Sequence, residues 1–327
     1  AEHHDHFAMW DSELTEWCAS KKGPMRDVIG ELEQAVRRRG MRFGLSNHRA
    51  RGLTFYTYDE AFDTVDPEGA DLYTEIGEGK YWTWDEALAD WEARLVELVD
   101  KYHPDMLWFD YGWADPRFDP YKRSFIAYYY NQALARNQEV TVTYKGQHLP
   151  WGVGLYDIER GRMTEAAPFF WQTDTTVATD TWAYKAGIEL YTVKEELDQL
   201  VDIVSKNGAL LLNIAPRGDG IIPEDQEALL RGMGAWLKIH GEAIYKTVPW
   251  QVAEEGDVRF TRRGKHLYAH FLGVPDEDLV IANLGTARMG GLTIRAASLL
   301  GSDEPVAWDQ AEKALTIRPV SYTHLTL

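Results

Sequence analysis

Cysteine is almost missing. Cys18 is the only one among 327 residues, so no intrachain disulfide can form and no thiolate cage for zinc can be built. The redox compartment stays open on that count. Positive charge is also scarce: 34 Lys and Arg stand against 52 Asp and Glu, a formal net charge of −18. Such a chain has no basic stripe to neutralise a phosphate backbone, which excludes nucleic acid as the expected ligand. No apolar run reaches the about 18 residues of a membrane-spanning helix, so membrane insertion is not expected. A signal peptide is not visible either. Because the chain opens directly in Ala1-Glu2-His3-His4-Asp5-His6-Phe7, which reads as the functional end of a strand, the expectation is a protein truncated at its N-terminus.

Aromatic residues, by contrast, are plentiful, with 13 Trp, 17 Tyr and 11 Phe. They suit a large aromatic core, and they equally suit a site that stacks flat rings on the apolar faces of sugars.

Strand-like and helix-like segments alternate along most of the chain. An amphipathic helix is expected between Pro24 and Gly40, with Arg37, Arg38 and Arg39 in its last turn. A strand over Met41–Leu45 then leads into Ser46-Asn47-His48-Arg49. The span from Ala50 to Tyr81 lacks periodicity and reads as a long loop, of the kind that is functional or disordered. Thr83 and Glu86 form a capping box for the next helix, whose buried stripe is Leu88, Trp91, Leu95, Leu98 and Val99. Pro104 ends it, and the short apolar strand Met106–Phe109 delivers Asp110.

Further helices are expected near Tyr121–Arg136, after the box Thr192/Glu195, and from Pro223 to Gly241. Strands are expected to start at Val140, Leu155, Phe169 and Ala209. This alternation predicts a parallel sheet, and six strands fall short of the eight of a closed (β/α)8 TIM barrel, as a missing front end would explain. From about Trp250 short alternating runs at Val258–Thr261, His266–Leu272, Leu279–Asn283 and Leu292–Arg295 predict a small antiparallel β-sandwich. The expected domains are therefore 1–249 and 250–327. The final residues 321–327 do not complete a domain and read as non-native sequence.

Asp110 is the central candidate for chemistry. A charge at the end of an apolar strand either caps a turn, pairs with a lysine, or is mounted there to react. His48 also sits at a strand end, where the loop backbone could equally satisfy it. His3, His4 and His6 invite a metal reading, but neighbouring histidines on an extended chain point to opposite faces, so His3 and His4 are not expected to share one ion.

Taken in order, HHDHFAMWDS, PDMLWFDYGW, YDIERGR, FFWQTDT, VDIVSKNGALLLNIAPRGDGIIP and HGEAIYKTVPW resemble the α-L-fucosidase family of retaining glycoside hydrolases over most of residues 2–252. The resemblance implies a (β/α)8-like catalytic barrel with a C-terminal β-sandwich and release of terminal α-L-fucose from a fucosylated oligosaccharide, with no cofactor and no metal. It implies that Asp110 is the nucleophile, that Trp108 lies beside the sugar, and that His3 and His4 hold its hydroxyls. Glu159 is the choice for the acid/base, with Glu165 its rival. Fucose carries a methyl group, and Trp108 and Trp171 are candidates for an apolar wall against it.

Three features depart from the family pattern: His6 replaces the usual glycine, Ser46–Ala50 differs from many members, and Tyr144-Lys145-Gly146 stands where others have Asp-Arg. Two rival readings accompany this one. The first is a metal-dependent barrel hydrolase using His3, His4, His6, His48 and Asp110; the second is an inactive fucose-binding relic. Family members are often exported, but the sequence leaves compartment, linkage preference and oligomeric state open.

Overall fold

The computed structural model describes residues 1–318 except Val274 and Asp276; the expectation for residues 321–327 lies outside the described residues. Two compact units divide the chain, Ala1–Asp157 and the part from Ile158 onward.

In the first unit, α1 (Val28–Arg38) starts where the Asp27 side chain accepts the Gly30 N–H at 2.9 Å. A capped start at that point leaves Pro24, at the head of the expected helix, outside it. Strand β1 is Gly44–Asn47 rather than Met41–Leu45. The difference has one cause, distant in sequence: the Asp105 carboxylate accepts the Phe43 N–H at 2.7 Å, so that donor is not part of a strand ladder. The span after β1 is not structureless. It forms two single-turn helices, α2 (Arg49–Gly52) and α3 (Ala70–Tyr73), with two short 3-10 turns between them.

Helix α4 (Trp84–Tyr102) begins at the Thr83/Glu86 box, with both reciprocal hydrogen bonds made. Its stripe of Leu88, Trp91, Leu95, Leu98 and Val99 is fully buried in the main core of this unit. Truncating one of the leucines to alanine would cost about 2–5 kcal/mol. Next come β2 (Met106–Phe109), α5 (Asp119–Ala135), β3 (Thr141–Lys145) and β4 (Leu155–Glu159). Strands β1 to β4 pair in sequence order, each neighbour parallel.

The second unit holds β5 (Trp171–Thr176), α6 (Val193–Ser205), β6 (Gly208–Asn213) and α7 (Glu224–His240). Thr192 and Glu195 form the second capping box, and β5 and β6 are parallel across six residue pairs. The end of β4 meets β5, where the Arg160 N–H donates to Asp174 O at 2.8 Å and the Thr173 hydroxyl donates to Ile158 O at 2.7 Å.

Antiparallel pairing begins with β7 (Val248–Glu255), β8 (Val258–Arg263) and β9 (His266–Phe271). A second three-stranded sheet, in the order β10 (Leu279–Ile281), β12 (Leu315–Arg318), β11 (Ala307–Gln310), shares one apolar core with the first through Val258, Phe260, Ile281, Leu284 and Leu315. The strand expected at Leu292–Arg295 is absent. Ile294 still packs on that core, but its N–H goes to the Gln310 side chain at 2.8 Å instead of a ladder partner. Among the described residues no helix is long and apolar enough to cross a membrane.

Candidate active site

The loop after β2 is held so that Asp110 cannot drift. Gly112 has φ +110°, and a Cβ there would lie 2.5 Å from the Arg51 Cα, so only glycine lets the loop pass α2. Trp113 is buried, with its ring 4.6 Å from Phe109. The Lys122 ammonium clamps two loops at once, donating to Trp113 O at 3.0 Å and His148 O at 3.3 Å.

The N-terminal segment is pinned beside β1. Glu2 bridges Asn47 in parallel fashion, and the His48 N–H donates to Glu2 O at 3.0 Å. Burial pushes the Glu2 carboxyl up, and the guanidiniums of Arg94 and Arg49, 3.3 and 3.2 Å away, offset this only in part. Asp90 braces both arginines from the other side, at 2.9 Å from Arg94 and 2.5 Å from Arg49. A turn at His4–Asp5 follows, stabilised by the Phe7 N–H donating to Asp5 at 3.1 Å.

That turn overturns the expectation that His3 and His4 face opposite ways. An extended chain would have separated them, but here their ring centroids are 4.3 Å apart, and His48 lies 4.3 Å from His3. One nitrogen from each of the three rings lies within 4.8 Å of the other two. His6 is not among them. Fully buried, it lies with Nδ1 3.0 Å from Leu72 O and Nε2 3.2 Å from Arg49 O, contacts that tie the 50–81 segment down. Its pKa falls well below the usual value because of that burial and the Arg49 and Arg94 charges.

Around Asp110 the groups converge. His4 Nε2 is 3.4 Å from Oδ2 and His48 Nδ1 is 3.3 Å from the same oxygen, while Lys145 Nζ is 3.5 Å from Oδ1. Burial opposes the charge on Asp110. The His48 contact, the Tyr111 N–H and the charge of Lys145 outweigh it and hold the carboxyl well below the usual carboxylate range. Burial moves His3 down to about 4, with His48 and His4 adding to the effect, and lowers His4 for the same reasons. The site thus offers an ionised carboxylate beside His3 and His4, whose lowered pKa leaves their imidazoles neutral and able to donate to or accept from hydroxyl groups.

Trp108 lines this cluster, with its ring 5.1 Å from His48 and the Lys145 ammonium 4.8 Å from its centroid. Its indole N–H donates to Asp157 at 2.7 Å. Lys145 and Asp157, with Phe55, whose exposed ring lies 4.9 Å from His4, are members of the site that sequence reasoning missed. Strand register would have found the first two, since Trp108 pairs with Thr143 and Lys145 with Asp157, which brings Asp110, Lys145 and Asp157 to one level of neighbouring strands.

His3, His4, His48, Trp108 and Asp110 are therefore brought together within the first unit. Glu159, Glu165 and Trp171 belong to the second. Glu159 is the exposed last residue of β4, and Glu165 is exposed beyond it. Trp171 has no exposed surface; its N–H donates to Lys206 O at 2.9 Å and its ring fills the space over Gly208. Those contacts are those of a packing side chain, which corrects the expectation of a wall open to a ligand.

The chain is 33% identical over 322 residues to the tissue alpha-L-fucosidase of Rattus norvegicus, covering 95% of this chain and 65% of that protein. It is 33% identical over 333 residues to the plasma alpha-L-fucosidase of Homo sapiens, covering 96% and 66%. Thus the chain spans slightly under two thirds of the length of these curated relatives. The crystal structure of Thermotoga maritima alpha-fucosidase in complex with a mechanism based inhibitor superposes with a TM-score of 0.78 at 30% identity, over 98% of this chain and 70% of that one. Residues 1–242 match the family described as Alpha-L-fucosidase, and the chain belongs to that family.

Proposed function

We propose that this protein releases terminal α-L-fucose from fucosylated oligosaccharides or glycoconjugates as an exo-acting, retaining glycoside hydrolase. The observation that carries the reading is the Asp110 carboxylate, kept ionised at a strand end between His4, His48 and Lys145 and beside Trp108. In a double displacement one ionised carboxylate attacks the anomeric carbon while a protonated carboxylic acid gives a proton to the leaving oxygen. Asp110 takes the first role. Glu159, at the end of β4, takes the second; it first donates its proton and then, as carboxylate, removes one from the attacking water.

His3, His4 and His48 hold ring hydroxyls, and Trp108 offers an apolar face, fixed by Asp157, to the sugar. The proposed scaffold is a full (β/α)8 barrel to which β1–β6 contribute, with residues 1–249 as its catalytic part and 250–327 as a β-sandwich-like domain.

Hydrolysis of an aryl α-L-fucoside tests the reading. Asp110→Gly should reduce kcat by about 10³-fold or more, and azide should restore part of it by substituting for the missing nucleophile. Full activity in that variant would contradict the assignment.

A further inference from the structure

We propose that His3, His4, His48 and Asp110 form a binding site for a borderline-soft divalent metal ion such as Zn²⁺, and that the bound ion blocks the sugar site. The blocking consequence rests on the fucosidase reading; the binding itself does not.

The geometry is close to what a tetrahedral ion requires. With bonds of about 2.0–2.1 Å to nitrogen and oxygen, neighbouring ligand atoms stand about 3.4 Å apart. His4 Nε2 and His48 Nδ1 already lie 3.4 and 3.3 Å from Asp110 Oδ2. His48 Nδ1 is buried and makes no hydrogen bond despite that short approach, so its contact with the carboxylate is not an aligned one. A ligand placed between the two would give this nitrogen the partner it lacks. The fourth vertex falls to His3, the most exposed of the three rings. The three rings already place one nitrogen each within 4.8 Å of the other two, and the exposed His3 side chain is free to turn towards the ion.

Three imidazoles and one carboxylate favour zinc, copper, nickel or cobalt over magnesium or calcium, which prefer oxygen ligands. The Lys145 ammonium, 3.5 Å from Oδ1, repels a dication and weakens its binding. An ion seated here would occupy the nucleophilic oxygen and all three hydroxyl-binding rings, so it acts as a competitor of substrate and not as a cofactor.

Titration of the whole chain with Co²⁺ gives a readout independent of turnover, because tetrahedral cobalt absorbs in the visible far more strongly than the hydrated ion. One equivalent should produce intense bands. Zn²⁺ should displace them, and His3→Ala and His48→Ala should each abolish them while the circular dichroism of the folded protein persists. No bands, or bands that survive in both variants, would overturn the site. In parallel, Zn²⁺ should raise KM for an aryl α-L-fucoside at least tenfold with kcat unchanged, and a chelator should reverse this. Metal that binds and speeds turnover, or leaves it unchanged, would overturn the blocking role. Cobalt bands in a chain that turns over no fucoside would support the site and count against the fucosidase reading alone.

Discussion

Lys145 Nζ stands 3.5 Å from Asp110 Oδ1, on the oxygen opposite the one that His4 and His48 approach. This ammonium is one of the groups that keep Asp110 ionised. Replacing it by Met removes an opposite charge at close range, so the Asp110 pKa rises. On the proposed role of Asp110 as a nucleophile, which must be ionised to attack, the acidic limb of kcat/KM moves to higher pH. A pH–rate profile of Lys145→Met checks this; an unmoved acidic limb would deny the coupling.

Asp157 acts through Trp108, accepting its indole N–H at 2.7 Å. In Asp157→Asn the charge-assisted bond weakens and the ring loses its fixed orientation. The loss of about 1.5 kcal/mol should appear as a roughly tenfold rise in KM, with a smaller change in kcat. Steady-state kinetics on an aryl α-L-fucoside distinguish this from a general loss of activity.

Gly112→Ala should fail for steric reasons. The site has φ +110° and an added Cβ would meet the Arg51 backbone at 2.5 Å, with neither side a flexible side chain. A destabilisation of about 3 kcal/mol is expected from chemical denaturation, together with displacement of Asp110 and loss of turnover.

In the second unit, Glu196 is fully buried on α6, and neither carboxylate oxygen has a hydrogen-bond partner. Burial, helped by the Glu195 charge, pushes its pKa up to about 7. A carboxyl raised on folding costs nothing while both states are protonated, and costs more as pH rises through the unfolded value towards the folded one. Stability should therefore fall between about pH 4.5 and 7 and then level off on this account. Glu196→Gln should leave stability unchanged near pH 4 and raise it by up to about 3 kcal/mol at pH 8, as read by denaturant midpoints at both values.

Much of this was legible in the sequence where local chemistry decides structure. Both capping boxes start their helices where Thr83 and Thr192 indicate, and Met106–Phe109 is a strand with the expected bounds, because Pro104 and Asp110 delimit it. Misreadings arose where one long-range side-chain contact overrode local pattern. Asp105 takes the Phe43 N–H, which puts the start of β1 at Gly44, and Gln310 takes the Ile294 N–H, which removes a strand from an alternating run. The same holds in the site. Asp110, His3, His4, His48 and Trp108 were visible as residue types at strand ends and in the N-terminal segment. Lys145 and Asp157 were hidden, because only the register of three strands shows that they stand beside Asp110. Trp171 was misassigned because an aromatic at the start of a strand looks alike in sequence whether it faces a ligand or, as here, the backbone of Lys206 and Gly208.

The central claim is that Asp110 forms a covalent bond with the sugar. Incubation with a 2-deoxy-2-fluoro-fucosyl fluoride, followed by proteolysis and mass spectrometry, tests it most directly. The account predicts one fluorofucosyl group per chain, on the peptide carrying Asp110, and none in Asp110→Gly. A label on a different carboxylate, or hydrolysis of an unmodified α-L-fucoside that first releases β-L-fucose, would contradict it.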